Sequence, residues 1–215
     1  PLKLGLDGEI RFIACSYAPR FVGGKVTGMF GCVQDVTSSR RTVQTLSRLH
    51  QVTADSGLSL DQKLQRILQV GAEQFALPIG LISSIKDGIY RVEYSHTPNG
   101  EVAPGTVFEL DGTYCVHTLD SDSPTSFHHT ATSEIREHPC YKKFALESYI
   151  GVVVRVNGVR WGTLNFSSPN PREQAFGEDD YELMKLLSQW VGNEITRHGW
   201  EVSLKAAERQ QRLIL

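Results

Sequence analysis

The stretch 111–122 reads DGTYCVHTLDSD and sets a thiol, Cys115, two residues before an imidazole, His117. Such a pair can ligate a metal, act as nucleophile and base, anchor a pigment, or simply form part of a pocket wall. As zinc or iron ligands the two need further donors, and the neighbouring sequence supplies His128, His129, His138 and Cys140, an adequate set chemically. Their spacing matches no finger motif, and the four cysteines (Cys15, Cys32, Cys115, Cys140) include no C-x-x-C pair. As a catalytic dyad, residues two apart point about 200° apart on a helix and lie along one face of a strand. No third orienting residue or oxyanion device accompanies them. The plainest alternative is that Cys115 is a small buried hydrophobe, as free cysteine usually is, on a helix packed over a sheet.

The elements that must position this pair follow from periodicity. Residues Leu4 to Thr37 alternate as antiparallel strands, with Asp7-Gly8 and Gly23-Gly24 as turns and Ile10, Phe12 and Ala14 on one face. Two or three strands bury no core alone, so these must complete a larger sheet. From Ser38 to Ser56 a narrow stripe of Val43, Leu46, Leu49 and Val52 or Thr53 has the width of a coiled-coil seam. Ser59 with Gln62 forms a capping box for a second helix, on which Leu60, Leu64, Ile67, Leu68, Gly71, Ala72 and Phe75 keep helical spacing up to Pro78.

Gly80 to Ile85 and Tyr90 to His96 flank Asp87-Gly88 as one hairpin; Ser148 to Val156 and Val159 to Phe166 flank Asn157-Gly158 as another. Between the hairpins lie short segments, TVFEL, YCVHTL, PTSFHH and SEIREHPCYKKFAL, an insert where a pocket can sit on a rigid scaffold. Within it, His128-His129 and Glu134 to Lys143 read as a wet face. A long helix runs from Glu178 to the end with Leu183, Leu187, Val191, Ile195 and Val202 on one side, and Gly199 is a point where it can break. Trp161, Trp190 and Trp200 read as packing anchors.

Composition bounds the partners. The chain has 215 residues, 40% of them hydrophobic, with 22 basic against 24 acidic side chains and a net charge of -2. That is enough apolar material for a core and too little positive charge for a nucleic-acid footprint or a polybasic membrane patch. No signal peptide and no run of about 18 apolar residues occurs, so a reduced, cytoplasmic protein is expected. The chain opens on strand-like sequence and stops at RQQRLIL in a helical pattern, as an excised piece of a longer protein would.

Two family resemblances attach to these motifs. DGEIRFIACSYAPRFVGGKVTGMFGCVQDVTSSRR resembles the final strands of a PAS domain, with Asp35 and Thr37 in its Asp-x-Thr ending. Residues from Leu60 to His198 resemble a GAF domain: the DGTYCVHTL segment, the YIGVVVRVNGVRWGTLNF ending and the helix after it carry the likeness. The FALESYIG and GTLNF pieces are also similar to GAF domains of halophilic transcriptional activators, and ERQQRLIL is similar to the start of a further PAS domain. The resemblance implies an α+β fold, a central antiparallel sheet flanked by helices, with PAS-end strands before it and long helices leading in and out. It divides the chain into a PAS end (1–40), a linker helix (41–58), a GAF domain (59–198) and an exit helix (199–215).

What the resemblance implies for function is a sensor module of a bacterial or archaeal signalling protein, non-enzymatic in itself, upstream of a histidine kinase or cyclic-di-GMP enzyme. The implied ligand pocket lies between sheet and insert, and Tyr114, Cys115, His117, Phe127, His129 and Tyr149 are the residues expected to line it. Covalent bilin sites in this family place His directly after Cys; here Val116 intervenes and no D-P-C-F motif precedes it, which argues against that pigment. The expected partners are an unidentified small molecule, a second copy in a parallel dimer and an output domain in the same chain, with no nucleic acid and no membrane. A ligand-free dimerisation and relay module, and a metal or redox sensor using Cys115, His117 and Cys140, remain as alternatives.

Overall fold

In the computed structural model of the chain, residues 2–6, 9–37, 40, 43, 44, 47, 51, 55 and 57–212 are the ones described. They fall in two compact units, residues 1–47 and 48–215. The expected linker stripe at Leu46, Leu49 and Val52 or Thr53 lies outside the described residues.

The first unit is an antiparallel meander of β1 (Leu2–Leu6), β2 (Glu9–Val22) and β3 (Lys25–Asp35). Gly23 and Gly24 both take positive φ, 58° and 77°, the backbone that a two-residue turn between right-twisted strands requires. Asp35 accepts the Thr37 N–H at 2.9 Å, and the Thr37 hydroxyl accepts the Phe12 N–H at 2.8 Å, so the Asp-x-Thr ending ties the strand end back to β2. β3 is exposed along its whole length, and Tyr17, Met29, Phe30 and Val33 stand in solvent.

The second unit begins with α1 (Leu60–Phe75), capped as its sequence predicts: the Ser59 hydroxyl accepts the Gln62 N–H, and the Gln62 side chain accepts the Ser59 N–H at 2.9 Å. Such a cap stabilises a helix by about 0.5–2 kcal/mol. Next come β4 (Ile79–Lys86), β5 (Ile89–His96), the short β6 (Val107–Glu109), α2 (Cys115–Leu119), β7 (Thr125–Phe127), α3 (Pro139–Phe144), β8 (Ser148–Val156), β9 (Val159–Ser168) and α4 (Glu178–Arg212). The six strands form one antiparallel sheet in the order β6-β5-β4-β9-β8-β7. Segments expected to be irregular, TVFEL and PTSFHH, thus supply its two edge strands.

Strand alternation gives this sheet two faces. Ile82, Ile150, Val152, Val154, Leu164 and Phe166 pack against Leu64, Ile67, Leu68 and Phe75 of α1 and Leu183, Met184, Leu187 and Val191 of α4. Gly71 and Gly80 leave room there for the Phe166 ring, which a β-carbon at either position would strike. The opposite face carries Tyr90, Val92 and Tyr149, covered by Tyr114, Cys115 and Cys140 from the insert. A register shift between Ile82 and Ser83 lets β5 send Tyr90 and Val92 to that face while Tyr94 packs with the helices.

Three expectations are corrected. α4 is continuous through Gly199, so no break falls there; Gly192 is instead the place where the Arg155 carbonyl of β8 meets the helix backbone and a side chain would not fit. Past that contact the helix leaves its domain, and Trp200, Val202 and Leu204 are exposed, so Trp200 is no packing anchor, whereas Trp161 and Trp190 do pack on the core. The segment Glu134 to Lys143 is not wholly wet either, since α3 buries Cys140.

Candidate functional site

Between the polar face of the sheet and the insert lies a cavity of about 300 Å³. Its floor comes from β9, β4 and β5 (Asn165, Ser167, Leu81, Tyr90), and Phe108, Thr113, Tyr114, Cys115, Cys140, Phe144, Leu146 and Tyr149 wall it. Glu101 and Val102, from the loop between β5 and β6, together with Ile79 and Pro169 complete the lining. The site is therefore apolar and strongly aromatic with few polar groups, the composition of small-ligand pockets.

A run of buried contacts fixes one wall. The Tyr149 hydroxyl lies 2.6 Å from Thr118 Oγ1 and 3.4 Å from Cys115 Sγ. Cys115 Sγ also accepts from the Thr163 hydroxyl at 3.3 Å, and Thr163 Oγ1 lies 2.9 Å from Ser83 Oγ. Asn165 donates through Nδ2 to the Tyr90 hydroxyl at 3.1 Å and to Cys115 Sγ at 3.5 Å. Cys115 is thus enclosed by hydrogen-bonding partners, and burial pushes its thiol up despite the bonds from Thr163 and Tyr149. A thiol held protonated is a poor nucleophile and a poor metal ligand. Burial raises the Tyr90, Tyr149 and Tyr114 hydroxyls as well, so the wall is electrically neutral.

The structure brings three of the six expected residues, Tyr114, Cys115 and Tyr149, onto the cavity and leaves three off it. Tyr114 is buried and donates its hydroxyl to the Leu146 carbonyl at 3.0 Å. Phe127 stands behind the wall, its ring 5.4 Å from Tyr114 and 5.9 Å from Tyr149. His117 turns from Cys115 towards Phe127 and His138, with ring centroids 5.9 Å and 5.1 Å away, and its Nε2 is buried without a hydrogen-bond partner among the described residues. His129 sits outside, 4.0 Å from the Glu147 carboxylate.

Divergence of Cys115 and His117 on one short helix is what a two-residue helical step dictates. Among the described residues no group of three or more His, Cys, Asp or Glu side chains is placed to hold a metal ion. The most informative residues missed, Asn165 and Ser167, carry a readable signal: in GTLNFS the alternation sets Thr163, Asn165 and Ser167 opposite Leu164 and Phe166.

Compared with known proteins, residues 59–195 match the GAF domain family. No curated protein matches the sequence. Among solved structures, the GAF domain of an Acinetobacter phosphoenolpyruvate-protein phosphotransferase aligns with a TM-score of 0.60 at 19% identity, covering 75% of this chain and 96% of that one. A phycocyanobilin-bound GAF domain from a cyanobacterial phytochrome gives 0.57 at 15%, covering 76% and 96%. The free methionine-R-sulfoxide reductase of Neisseria meningitidis, in complex with its substrate, gives 0.58 at 15%, covering 74% and 91%. At these identities the likeness is one of fold. No described helix is long and apolar enough to cross a membrane.

Proposed function

Because the chain belongs to the GAF domain family, whose fold serves as a small-ligand-binding regulatory module, we propose that it is the sensor portion of a bacterial or archaeal signalling protein and binds its ligand in the cavity over Asn165. The single observation that carries this reading is the cavity itself: about 300 Å³, aromatic-walled, with buried polar side chains on its floor. The output it regulates is a histidine kinase or a cyclic-di-GMP enzyme in the same chain, and the β1–β3 meander is the end of a PAS domain, a reading supported by the way Thr37 and Asp35 close it.

Relay follows from strand β8. Tyr149 faces the cavity while Ile150, Val152 and Val154 of the same strand pack among the α4 residues, and the Arg155 carbonyl abuts Gly192. A ligand that binds one setting of Tyr149 more tightly than another biases β8 and with it α4, by no more than its differential affinity. The signal leaves along α4, whose exposed Trp200 and Leu204 lie four residues apart on one side and would be covered in a parallel dimer.

The test is ligand-detected NMR with a chemically mixed fragment set against the wild-type protein and Val102→Trp, which blocks the cavity from a loop. Fragments that bind the first and not the second support the reading; binding equal in both, or none at all, overturns it. Leu204→Glu should convert a dimer to a monomer by light scattering, and a dimer that persists excludes helix-mediated assembly.

A further inference from the structure

Resting on that reading of the cavity, we infer its ligand class: an uncharged planar aromatic molecule of one or two rings bearing an N–H or O–H donor, with anions excluded. Size sets the first limit, since about 300 Å³ is at the small end of ligand pockets, which run to about 1,000 Å³. Shape sets the second. Tyr90, Phe108, Tyr114, Phe144 and Tyr149 surround the space, and aromatic walls favour a flat aromatic guest by offset or edge contacts.

Charge sets the third. No arginine or lysine lines the cavity. Glu101 stands at its edge, where its own backbone N–H and the Asn99 carboxamide hold the carboxyl below the usual carboxylate range. Lys143 lies over the Phe108 and Phe144 rings at 5.8 and 5.2 Å but is not among the lining residues, so a carboxylate or phosphate would enter past Glu101 and lose its water with no cation in the lining to replace it.

Hydrogen bonding sets the fourth. Asn165 is 3% exposed and spends its Nδ2 on Tyr90 and Cys115, which leaves its carbonyl oxygen without a donor among the described residues. Ser167, 2% exposed and two residues along the same strand face, has a hydroxyl that likewise bonds no described residue. Neither oxygen is among the fully buried unpaired atoms; both residues line the cavity, so an acceptor and a hydroxyl open onto its space and define the edge a ligand can meet.

The experiment measures indole, 1-methylindole and indole-3-carboxylate by ligand-detected NMR and calorimetry on wild-type protein, Val102→Trp and Asn165→Leu. Indole should bind wild type about three- to tenfold tighter than 1-methylindole, the span of one net hydrogen bond, and more than about tenfold tighter than the carboxylate. Asn165→Leu should erase the difference between indole and its methyl derivative. Discrimination that survives this substitution overturns the assignment of Asn165, and if the variant does not fold the three-probe comparison on wild type decides. Equal or tighter binding of the carboxylate overturns the class and leaves the cavity reading standing, as does failure of all three probes while other fragments bind wild type and not Val102→Trp. Absence of any fragment binding overturns both.

Discussion

Tyr149 lies across the bare backbone of Gly151, so close that a β-carbon on the glycine would meet the phenol oxygen and crowd Thr118. The glycine is what allows the phenol to reach Thr118 and Cys115 and close the cavity wall. Gly151→Ala must push Tyr149 off this position. Overpacking of this kind costs about 1–3 kcal/mol, and the wall should open with it. The expected outcome is a lower urea midpoint together with weakened fragment binding. Tyr149→Phe, which keeps the ring and removes only the hydroxyl, should lose less stability; comparing the two by chemical denaturation separates the steric part from the hydrogen bonds.

Helices α1 and α4 share more than apolar contacts. Lys63 and Glu194 approach to 3.5 Å with side chains only 4% and 9% exposed, and Arg197 pairs with the same carboxylate from the rim. Removing one partner of a buried ion pair costs about 3–5 kcal/mol because a desolvated charge is left behind. Glu194→Gln removes a carboxylate shared by Lys63 and Arg197, whereas Lys63→Met leaves Glu194 still paired to Arg197. Glu194→Gln should therefore be the more destabilising of the two, and replacing both residues with apolar ones should recover much of the loss. Urea unfolding of the three variants decides; an equal cost for both single changes would show that Arg197 contributes nothing.

Why the hairpins were legible and the binding floor was not follows from the range of the interactions. Asp87-Gly88 and Asn157-Gly158 adopt positive φ at both residues, 52° and 75°, then 52° and 78°, a requirement that local sequence states outright. The capping box of Ser59 and Gln62 is local in the same way. Placement of β9 between β4 and β8 depends on pairing across distant segments, and only that pairing brings Asn165 to Tyr90 and Cys115. His129 illustrates the converse. Its type and position in the insert suit a pocket, but Glu147, next to β8, holds it outside.

Glu147 also gives the domain a predictable acid response. Burial alone would raise its carboxyl, but the Tyr141 hydroxyl at 2.6 Å, the Ala131 N–H at 3.0 Å and the nearby His129 more than offset this and hold it below the usual range. A carboxyl depressed in the folded state contributes stability that is complete above its unfolded value, about 4.3, and is lost as pH falls through the folded value. Glu147→Gln should accordingly be destabilised relative to wild type at neutral pH, and the gap should narrow in the acid range. Urea midpoints measured from about pH 7 down to pH 3 test the sign; a gap that widens on acidification would mean that the carboxylate is not what ties the insert to β8.

The four free cysteines offer a direct probe of whether the cavity wall stays closed. Cys32 is exposed and Cys15 half-buried, while Cys115 and Cys140 are each 3% exposed. Burial pushes the Cys140 thiol up to about 12, so near neutral pH it stays almost wholly protonated and holds little of the thiolate that attacks an alkylating agent. Cys115 is shifted in the same direction. Iodoacetamide should therefore label Cys32 first and Cys15 more slowly, and reach Cys115 and Cys140 only as fast as the domain opens. Peptide mass spectrometry across a time course, with and without urea below the unfolding transition, reads the four rates separately. Labelling of Cys115 at the rate of Cys32 in the folded protein would mean an open, reactive thiol and would revive redox sensing. Labelling that follows opening, and slows further when a fragment fills the cavity, would identify Cys115 as part of the wall against which the ligand packs.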